Sequence, residues 1–463
     1  MMKITVIGSG PGGYEAAIYA AKKGAEVVVV EKDKVGGTCL NRGCIPTKAF
    51  LASYDAFTAV SEAKNFGVTG TGEPGMDYPA VLARKNKVTA GLVKGIEYLF
   101  KANKITFING TGSLADAHTV SAAKADGTVE KIETDYIILA SGSVPAAPPF
   151  FNIDRQRVIT SDEILDFDEA PESLILVGGG VIGCEIGQFL AKAGTKVTIV
   201  EALPRIMAAM DEDASRQLMR QFKKEKIKVI TGDGIAQINP AEDHVDVKLA
   251  SGKELSAAYC LAATGRVPYT KGLGLENAGV KTDEKGRIAV NEYLQTNIEN
   301  IYAAGDILNS PQLAHVASKE GFIAVDNIFG EKKKASYHAV PSCVFTNPQL
   351  ACAGKLEWQL QKEGKEKDKD YRTGTFDFRA LGKAQASGRI TGFVKVIADM
   401  DDVITGAEIV GEGAGDMLQV LTSAIQLHLT VQQLEESIFP HPTMCEAILE
   451  ALHDIHGLSV NKA

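Results

Sequence analysis

The chain has 463 residues, enough for several domains at about 150 residues each. Its 45% apolar and 23% charged residues exclude disordered, collagen-like and disulfide-scaffold classes. The formal net charge of −9 argues against nucleic acid or an anionic membrane as a partner, and the apolar runs are too short to span a bilayer. The first strand pattern begins at Lys3 and leaves no room for a secretory leader, so we expect a cytoplasmic, multidomain globular protein.

The N-terminal segment predicts a strand, a glycine-rich turn and a helix. A strand pattern over residues 3–7 runs into GSGPGG at residues 8–13, and a helical pattern follows. The next strand pattern ends at Glu31, where an acidic side chain could accept hydrogen bonds from a ribose. With both flanking strands and the acid in place, the pattern predicts dinucleotide binding rather than a simple tight turn.

The same construction returns later in the chain. A strand pattern leads into GGGVIG at residues 178–183, and Glu201 follows Gly178 at the separation that Glu31 has from Gly8. Two chance fingerprints with matched spacing are improbable, so we expect two separate dinucleotides with electrons passing between them.

The C-terminal region has a different pattern. Strand patterns at residues 392–398 and 403–409 precede helical patterns at residues 415–427 and 444–456, which is typical of an antiparallel sheet with helices on one face. The predicted fold class is therefore α/β, with two Rossmann-like dinucleotide-binding domains and a C-terminal α+β domain.

Cys39 and Cys44 lie close together inside the first nucleotide-binding unit. A distorted helical turn would let their side chains meet, so the pair could cycle between dithiol and disulfide. A zinc half-site would need a second close pair, but Cys343 and Cys352 are far apart in sequence and no histidine flanks them at ligand spacing. We therefore predict no metal, while two inert thiols remain an alternative.

Taken together, the motifs resemble the pyridine nucleotide-disulfide oxidoreductases over the whole chain. Besides the two glycine turns, the motifs that carry the resemblance are GGTCLNRGCIPTK at 36–48, ATGRVP at 263–268, AAGD at 303–306, LAH at 313–315 and HPTMCE at 441–446. Within the family, the pattern is most similar to the members that oxidise protein-bound dihydrolipoamide to lipoamide. The resemblance thus implies an enzyme that passes electrons through a Cys39–Cys44 disulfide and FAD to NAD.

The resemblance also implies which residues hold the two cofactors. The FAD pyrophosphate and riboses would lie against the first turn, its acid and a later aspartate: Gly8, Gly10, Gly13, Glu31 and Asp306. NAD would lie in the same way against the second turn and its acid: Gly178, Gly180, Gly183 and Glu201. Further cofactor-binding positions implied by the family are Lys48, Gly112, Ser141, Gly142, Gly265 and Ala314.

In the family mechanism, Cys39 would exchange with the substrate sulfur and Cys44 would contact the flavin. Lys48 would lie beside the flavin nitrogen that carries hydride, paired with Glu185, because a cation there stabilises reduced flavin. Arg42 lies where the family commonly has a small or apolar residue. Its charge could lower the pKa of a thiol, or its side chain could point to solvent.

His441 would accept a proton from dihydrolipoamide or from Cys39, and Glu446 would orient the imidazole. Thr443 and Glu446 also have the spacing of a capping box for the helix that follows. We expect that one carboxylate cannot fully meet both roles at once. The resemblance further implies a cis peptide bond between His441 and Pro442.

Four regions follow from the resemblance: an FAD-binding domain at residues 1–149, an NAD-binding domain at 150–268, a central domain at 269–338 that completes the FAD site, and a dimerisation domain at 339–463. A homodimer is implied, in which His441 serves the partner's disulfide. The lipoyl group would belong to another protein, in a 2-oxoacid dehydrogenase or glycine cleavage complex. A non-enzymatic interaction subunit with the same fold is the alternative, although it would not need the redox residues.

Overall fold

A computed structural model describes residues 1–462 of the chain. The strands, in chain order, are β1 (Lys3–Ile7), β2 (Glu26–Glu31), β3 (Thr106–Asn109), β4 (Thr111–Leu114), β5 (Thr119–Ala123), β6 (Val129–Glu133), β7 (Tyr136–Leu139), β8 (Ser143–Pro145), β9 (Val158–Ile159), β10 (Ser173–Val177), β11 (Lys196–Glu201), β12 (Lys228–Thr231), β13 (Ile235–Pro240), β14 (Val245–Leu249), β15 (Glu254–Ala257), β16 (Tyr259–Ala262), β17 (Arg266–Pro268), β18 (Ile301–Ala303), β19 (Ser342–Val344), β20 (Leu350–Gly354), β21 (Tyr371–Asp377), β22 (Phe393–Asp399) and β23 (Ile404–Val410).

The α-helices, in chain order, are α1 (Pro11–Lys22), α2 (Gly37–Arg42), α3 (Cys44–Glu62), α4 (Tyr78–Ala102), α5 (Ser161–Ile164), α6 (Val181–Lys192), α7 (Glu212–Lys224), α8 (Leu275–Ala278), α9 (Ala314–Ile328), α10 (Glu357–Lys362), α11 (Gly382–Ser387), α12 (Ala414–Gln426), α13 (Val431–Glu435) and α14 (Glu446–Asp454). Short 3₁₀ helices lie at Ala63–Phe66, Pro149–Phe151 and Phe378–Ala380. Within residues 1–462, no helix combines the length and apolar character needed to cross a membrane.

The chain folds into two compact units, each assembled from three segments. The first unit comprises residues 1–147, 160–169 and 265–335. Its main sheet has the strand order β18-β7-β1-β2-β3, and all its strand pairs are parallel. The four consecutive valines of β2 are buried, as expected for a parallel strand covered on both faces. Helices α1 and α9 pack side by side on this sheet, and α3 packs against α4.

The second unit comprises residues 148–159, 170–264 and 336–463. Its parallel sheet has the order β12-β11-β10-β16-β9, so β10 lies between β11 and β16 as β1 lies between β2 and β7 in the first unit. This repeated topology confirms the two Rossmann-like halves.

The C-terminal part of the second unit contains the predicted antiparallel sheet. Its strand order is β19-β20-β23-β22-β21, with every pair antiparallel, and α12 and α14 pack on it around an apolar core. The predicted α+β fold of this region is confirmed. Strands β22 and β23 begin within one residue of the predicted positions, whereas β19, β20 and β21 were not predicted.

Candidate functional site

In the first glycine turn, backbone atoms crowd the Cβ positions of Gly8 and Gly13, whereas the Cβ position of Gly10 is open. A Cβ atom on Gly8, whose φ is +101°, would lie 2.3 Å from the carbonyl oxygen of Ala140. A Cβ on Gly13 would lie 2.0 Å from the carbonyl oxygen of Gly8. Around Gly10, by contrast, no atom of the described residues comes within 4 Å of a Cβ. Gly8 and Gly13 therefore make the turn possible, and Gly10 leaves space for a ligand to approach the backbone.

The second glycine turn has the same geometry. A Cβ on Gly178, at φ +114°, would lie 2.4 Å from the carbonyl oxygen of Ala263, and one on Gly183 would lie 2.1 Å from the carbonyl oxygen of Gly178. Gly180 again has nothing within 4 Å in the part of the chain that the structure describes. The repeat seen in the sequence is thus repeated in three dimensions.

Gly10 and Gly180 are the N-cap residues of α1 and α6, and neither helix start has a side-chain cap within residues 1–462. The first N–H groups of a helix have no partner inside it, and the helix dipole favours an anion there. Both turns therefore fit the pyrophosphate of a dinucleotide, with the uncapped N–H groups as donors.

Each turn is joined to the acid that follows it. The Glu31 Oε2 atom accepts hydrogen bonds from the Ser9 backbone N–H (2.8 Å) and hydroxyl (3.0 Å), and Oε1 accepts from the backbone two residues further on (2.9 Å). Glu201 repeats this pattern, accepting from the Gly179 N–H at Oε2 (2.7 Å) and from the backbone two residues further on at Oε1 (2.8 Å). These hydrogen bonds hold both carboxylates beside the open glycines, where a ribose would follow the pyrophosphate.

Asp306 belongs to a chain of hydrogen bonds in the first unit. The Ser143 hydroxyl donates to Asp306 Oδ2 (2.5 Å), while the Arg266 guanidinium donates to the Ser143 hydroxyl and carbonyl oxygens, both at 2.7 Å. Burial lowers the pKa of Arg266, and Asp162 and Asp306 partly oppose this shift. Ser143 and Arg266 were not among the predicted site residues, although Arg266 lies in the ATGRVP motif that carried the resemblance.

The other predicted cofactor positions have varied surroundings. Gly142 and Gly265 have left-handed φ values of +71° and +121°, and their Cβ positions have no described neighbour within 4 Å. Ser141 donates through its hydroxyl to a backbone carbonyl after β17 (2.7 Å). Gly112 lies in β4, where a Cβ would come within 2.9 Å of a β1 side chain, so packing also requires glycine there. Ala314 is the first residue of α9.

The two redox cysteines lie on either side of a helix break. Cys39 is in α2, Cys44 begins α3, and Gly43 between them has φ −142° and ψ −114°. The structure holds both side chains as thiols joined by a hydrogen bond. This hydrogen bond and burial raise the pKa of Cys39 far above its usual range, while the charge of Lys48 opposes the shift. The predicted proximity of the two thiols is confirmed.

The loop between β2 and α2 is fixed by polar contacts. The Asn41 side-chain amide donates to the carbonyl oxygens of Val35 and Gly37, both at 2.9 Å. Arg42 forms an ion pair with Asp33, and an effect of its charge on the thiols stays a prediction.

The carboxylate of Glu446 accepts two hydrogen bonds but does not complete the capping box, because α14 begins at Glu446 itself with Cys445 as its N-cap, so the expectation that both roles are not fully met together is confirmed. His441 donates from Nδ1 to Oε1 (2.8 Å), and the Thr443 backbone N–H donates to Oε2 (2.8 Å). The Thr443 hydroxyl donates to the carbonyl oxygen of Pro440 (2.7 Å), so only the glutamate half of a capping box is present. The peptide bond between His441 and Pro442 is cis, as predicted.

Electrostatics favour the charged form of Glu446. Burial alone would raise its pKa, but the hydrogen bonds from His441 and Thr443 outweigh this effect and lower it. The His441 side chain is 77% exposed in a single chain, and Glu446 beside it is 24% exposed. The pair therefore presents an oriented imidazole at the surface of the second unit.

Glu185 lies in α6 of the second unit and is only 3% exposed. Its Oε1 atom accepts a hydrogen bond from the backbone N–H of Phe345 (2.8 Å). The predicted pairing of Glu185 with Lys48, which lies in the first unit, stays a prediction.

Known proteins share these features over the full length of the chain. Residues 2–321 match the model of the pyridine nucleotide-disulphide oxidoreductases, and residues 340–452 match the dimerisation domain of that family. The dihydrolipoyl dehydrogenase of Chlamydia pneumoniae is 38% identical over 458 residues, which cover 97% of each chain. The dihydrolipoyl dehydrogenase of Bacillus subtilis is 36% identical over 463 residues, covering 99% of this chain and 100% of the relative.

Solved structures show the same fold. LpdA from Mycobacterium tuberculosis superposes with a TM-score of 0.91 at 28% identity, over 98% of this chain and 99% of that one. The HOCl-induced flavoprotein disulfide reductase RclA from Escherichia coli gives a TM-score of 0.85 at 26% identity, over 97% and 99%. Because sequence, fold and the paired cysteines beside a dinucleotide turn all agree, the chain belongs to the pyridine nucleotide-disulphide oxidoreductase family.

Proposed function

We propose that this protein is a flavin-dependent disulfide oxidoreductase that oxidises protein-bound dihydrolipoamide to lipoamide and reduces NAD to NADH. The observation that carries the proposal is the Cys39–Cys44 dithiol, which lies next to a dinucleotide turn in a chain that aligns end to end with dihydrolipoyl dehydrogenases. A second dinucleotide turn in the same chain provides a binding site for NAD, the electron acceptor.

The first turn, with Gly10 and Glu31, is assigned to FAD, and the second turn, with Gly180 and Glu201, to NAD. When bound, FAD and NAD supply the hydride chemistry that protein side chains lack. Asp306 is assigned to the ribitol part of FAD. The hydrogen bond from the Ser143 hydroxyl fixes the orientation of its carboxylate.

Cys39 is assigned to exchange with the substrate. In the disulfide form of the enzyme, one substrate thiolate attacks Cys39, the Cys39–Cys44 bond breaks, and Cys44 leaves as a thiolate. The second substrate thiolate then attacks the first substrate sulfur, which closes the lipoamide ring and releases Cys39. The two electrons of the substrate now reside on the cysteine pair.

The same reaction releases protons, and His441 is assigned to accept one of them. Glu446 stabilises the imidazolium because its pKa is lowered and its Oε1 atom already contacts Nδ1. Lys48 and Glu185 are assigned to the flavin edge, where the lysine charge stabilises the reduced cofactor.

We further propose the domain division into residues 1–149, 150–268, 269–338 and 339–463, with the last region forming a homodimer. The match of residues 340–452 to a dimerisation domain supports this assembly. The lipoyl substrate would be carried by a protein of a 2-oxoacid dehydrogenase or glycine cleavage complex. The cytoplasmic location stays a prediction from the sequence.

The proposal is tested by purifying the protein and recording its visible absorbance with dihydrolipoamide and NAD. We expect yellow protein whose flavin is reduced by dihydrolipoamide, with NADH formed in the steady state. In parallel, NADH oxidation is followed with lipoamide, glutathione disulfide and mercuric ion, and lipoamide should be the best acceptor. Colourless protein without turnover would support an interaction subunit instead, and faster turnover with another acceptor would overturn the substrate assignment.

A further inference from the structure

The backbone that follows β19 reaches α6 without any strand between them. In the antiparallel sheet, β19 is an edge strand that pairs only with β20. Beyond its end, the backbone N–H groups of Phe345 and Asn347 both bond to side chains of α6. Both hydrogen bonds are part-buried, and together they tie this segment to α6.

Two side chains one helical turn apart in α6 supply the partners. Glu185 accepts the Phe345 N–H at Oε1 (2.8 Å), and Gln188 accepts the Asn347 N–H at its own Oε1 (2.7 Å). The spacing of i and i+3 puts the two α6 side chains on one face. From this face they bond to two alternate residues of the bend that follows β19.

Of these two side chains, Gln188 pairs with both backbone groups of one residue in segment 345–347. Besides accepting from the Asn347 N–H, it donates from Nε2 to the Asn347 carbonyl oxygen (2.8 Å) and to Glu225 Oε2 (2.9 Å). Its side chain has no solvent exposure. A carboxamide supplies a donor and an acceptor together, so glutamine can pair with both backbone groups of one residue, whereas a carboxylate or an apolar side chain of this size cannot.

We infer that Gln188 is a positioning residue for Glu185. By holding residues 345–347 against α6, Gln188 keeps the Phe345 N–H at the Glu185 carboxylate and so fixes the orientation of that carboxylate. The inference rests on the proposed function, in which Glu185 acts with Lys48 at the flavin. Nothing in the resemblance assigned a role to Gln188.

Loss of the Gln188 hydrogen bonds should affect only one of the two half-reactions, the one between NADH and the flavin. Glu185 lies in the helix whose N-terminus forms the NAD turn, while the cysteine pair belongs to the first unit. Misplacing Glu185 should therefore slow flavin reduction by NADH and leave cysteine exchange with dihydrolipoamide intact. A general loss of packing would instead lower both rates together with the unfolding temperature.

The test replaces the amide with an apolar chain of similar length, Gln188→Met, in FAD-loaded enzyme. Rapid mixing measures flavin reduction by NADH, and thiol labelling after rapid quenching measures reduction of the Cys39–Cys44 disulfide by dihydrolipoamide. We expect the rate with NADH to fall at least about tenfold and the rate with dihydrolipoamide to stay within about twofold. Gln221→Met is the matched control, because Gln221 donates to the other oxygen of Glu225 (2.6 Å) without touching residues 345–347.

A second variant keeps the shape of the Gln188 side chain but makes its ability to donate a hydrogen bond depend on pH. In Gln188→Glu, the protonated carboxyl resembles the amide, whereas the ionised form cannot donate to the Asn347 carbonyl and is repelled by Glu225. Relative to wild type, flavin reduction by NADH should therefore recover as the pH is lowered.

Unchanged rates in Gln188→Met, equal losses in both half-reactions, or no pH recovery in Gln188→Glu would overturn the inference. Wild-type enzyme that fails to be reduced by either substrate would instead overturn the proposed function.

Discussion

The Nδ1 atom of His441 lies 2.8 Å from Oε1 of Glu446, and the other oxygen of this carboxylate accepts the Thr443 backbone N–H at the same distance. The second hydrogen bond keeps the carboxylate from rotating, so the first one holds the imidazole in a fixed orientation. The imidazole and the Thr443 backbone are thus held by separate oxygens of a single side chain.

Replacing this carboxylate by an amide should impair proton transfer while preserving the fold. In Glu446→Gln, the side chain can still accept one hydrogen bond but no longer stabilises an imidazolium by charge. We expect kcat/KM for dihydrolipoamide to fall by about 10²-fold or more, which is the usual range for losing support of a general base. The pH–rate profile should also change on its acidic limb, where a general base becomes protonated.

Glu450→Gln is the control for this variant. Glu450 lies one turn further along α14 and accepts hydrogen bonds from Ser459 and Asn461, away from His441. Its replacement should change stability but not the pH–rate profile. An unaltered profile in Glu446→Gln would show that the carboxylate serves the helix alone.

Removing one thiol separates cofactor binding from disulfide chemistry. In Cys44→Ser, dihydrolipoamide oxidation should be abolished, because no disulfide can form with Cys39. FAD should remain bound at wild-type stoichiometry, since the glycine turn and the Asp306 network do not use the Cys44 sulfur. Flavin absorbance and lipoamide turnover on the same sample check both statements, and substantial residual turnover would contradict the assigned chemistry.

Glu201 should make the enzyme prefer NAD to NADP, because its carboxylate repels an added phosphate. Arg205 could in principle bind such a phosphate, but its guanidinium donates to the carbonyl oxygens of Met210 (2.8 Å) and Ala208 (3.2 Å). Glu201→Ala should therefore weaken NAD binding by about tenfold for each 1.4 kcal/mol lost, without making NADP the better substrate. Steady-state rates with both nucleotides decide this, and equal wild-type rates would refute the preference.

The features that sequence alone predicted are those set by local backbone geometry. Each turn needs a glycine at a left-handed φ, +101° in the first turn and +114° in the second. An acid follows each glycine at the same separation, so the pattern is recognisable without knowing the fold. The cysteine pair and the HPTMCE segment are likewise short motifs. Each of these predictions depends on residues that are near one another in sequence.

Contacts between segments that are distant in the sequence produce no recognisable spacing of residues, so the sequence alone did not predict them. Gln188 and Asn347 meet because the segment that follows β19 reaches α6, and neither residue belongs to a motif. Ser143 and Arg266 are brought together by pairing of β8 with β17. Lys395 and Glu408, in the middle of two apolar strands, read as ordinary strand residues until β22 and β23 are placed side by side.

These last two residues form a buried charge cluster with the start of α7. The Lys395 ammonium contacts carboxylate oxygens of Asp211 (3.0 Å), Asp213 (2.6 Å) and Glu357 (3.4 Å), and so supplies the cation among these acids. Glu408 is fully buried and accepts the Asp211 backbone N–H at Oε1 (2.9 Å), while its Oε2 has no hydrogen-bond partner among the described residues. Burial, together with the neighbouring aspartates, raises the pKa of Glu408 well above its ordinary value of 4.5.

A raised pKa has a definite consequence for stability. The folded protein holds a proton on Glu408 that the unfolded chain releases above pH 4.5, so this contribution is complete below that pH and is lost as the pH rises through the folded-state pKa. Glu408→Gln mimics the protonated form and removes the dependence. We expect the unfolding temperature of the variant to gain on that of wild type as the pH increases from 5 to about 9. A constant difference across this range would show that Glu408 is ionised in the folded protein.

The exposed position of His441 leads to a prediction about assembly. In a single chain its side chain is 77% exposed, and Ile438 just before it is 97% exposed. An exposed imidazole is accessible to another subunit, and residues 340–452, which include His441, match a dimerisation domain. We therefore expect the His441 of one subunit to serve the Cys39–Cys44 pair of its partner, as the resemblance implies.

Subunit mixing distinguishes this arrangement from one in which the C-terminal domain serves its own disulfide. Cys44→Ser and His441→Gln proteins should each be inactive alone, and they are mixed under conditions that exchange subunits. If sites are shared, each mixed dimer has one site with both defects and one with neither, so it should regain up to about half of the wild-type activity. If each chain serves itself, every site in a mixed dimer carries one defect and activity stays at the level of the parents. Exchange is verified with subunits of different mass, so an absence of recovery in proven mixed dimers would rule out the shared site.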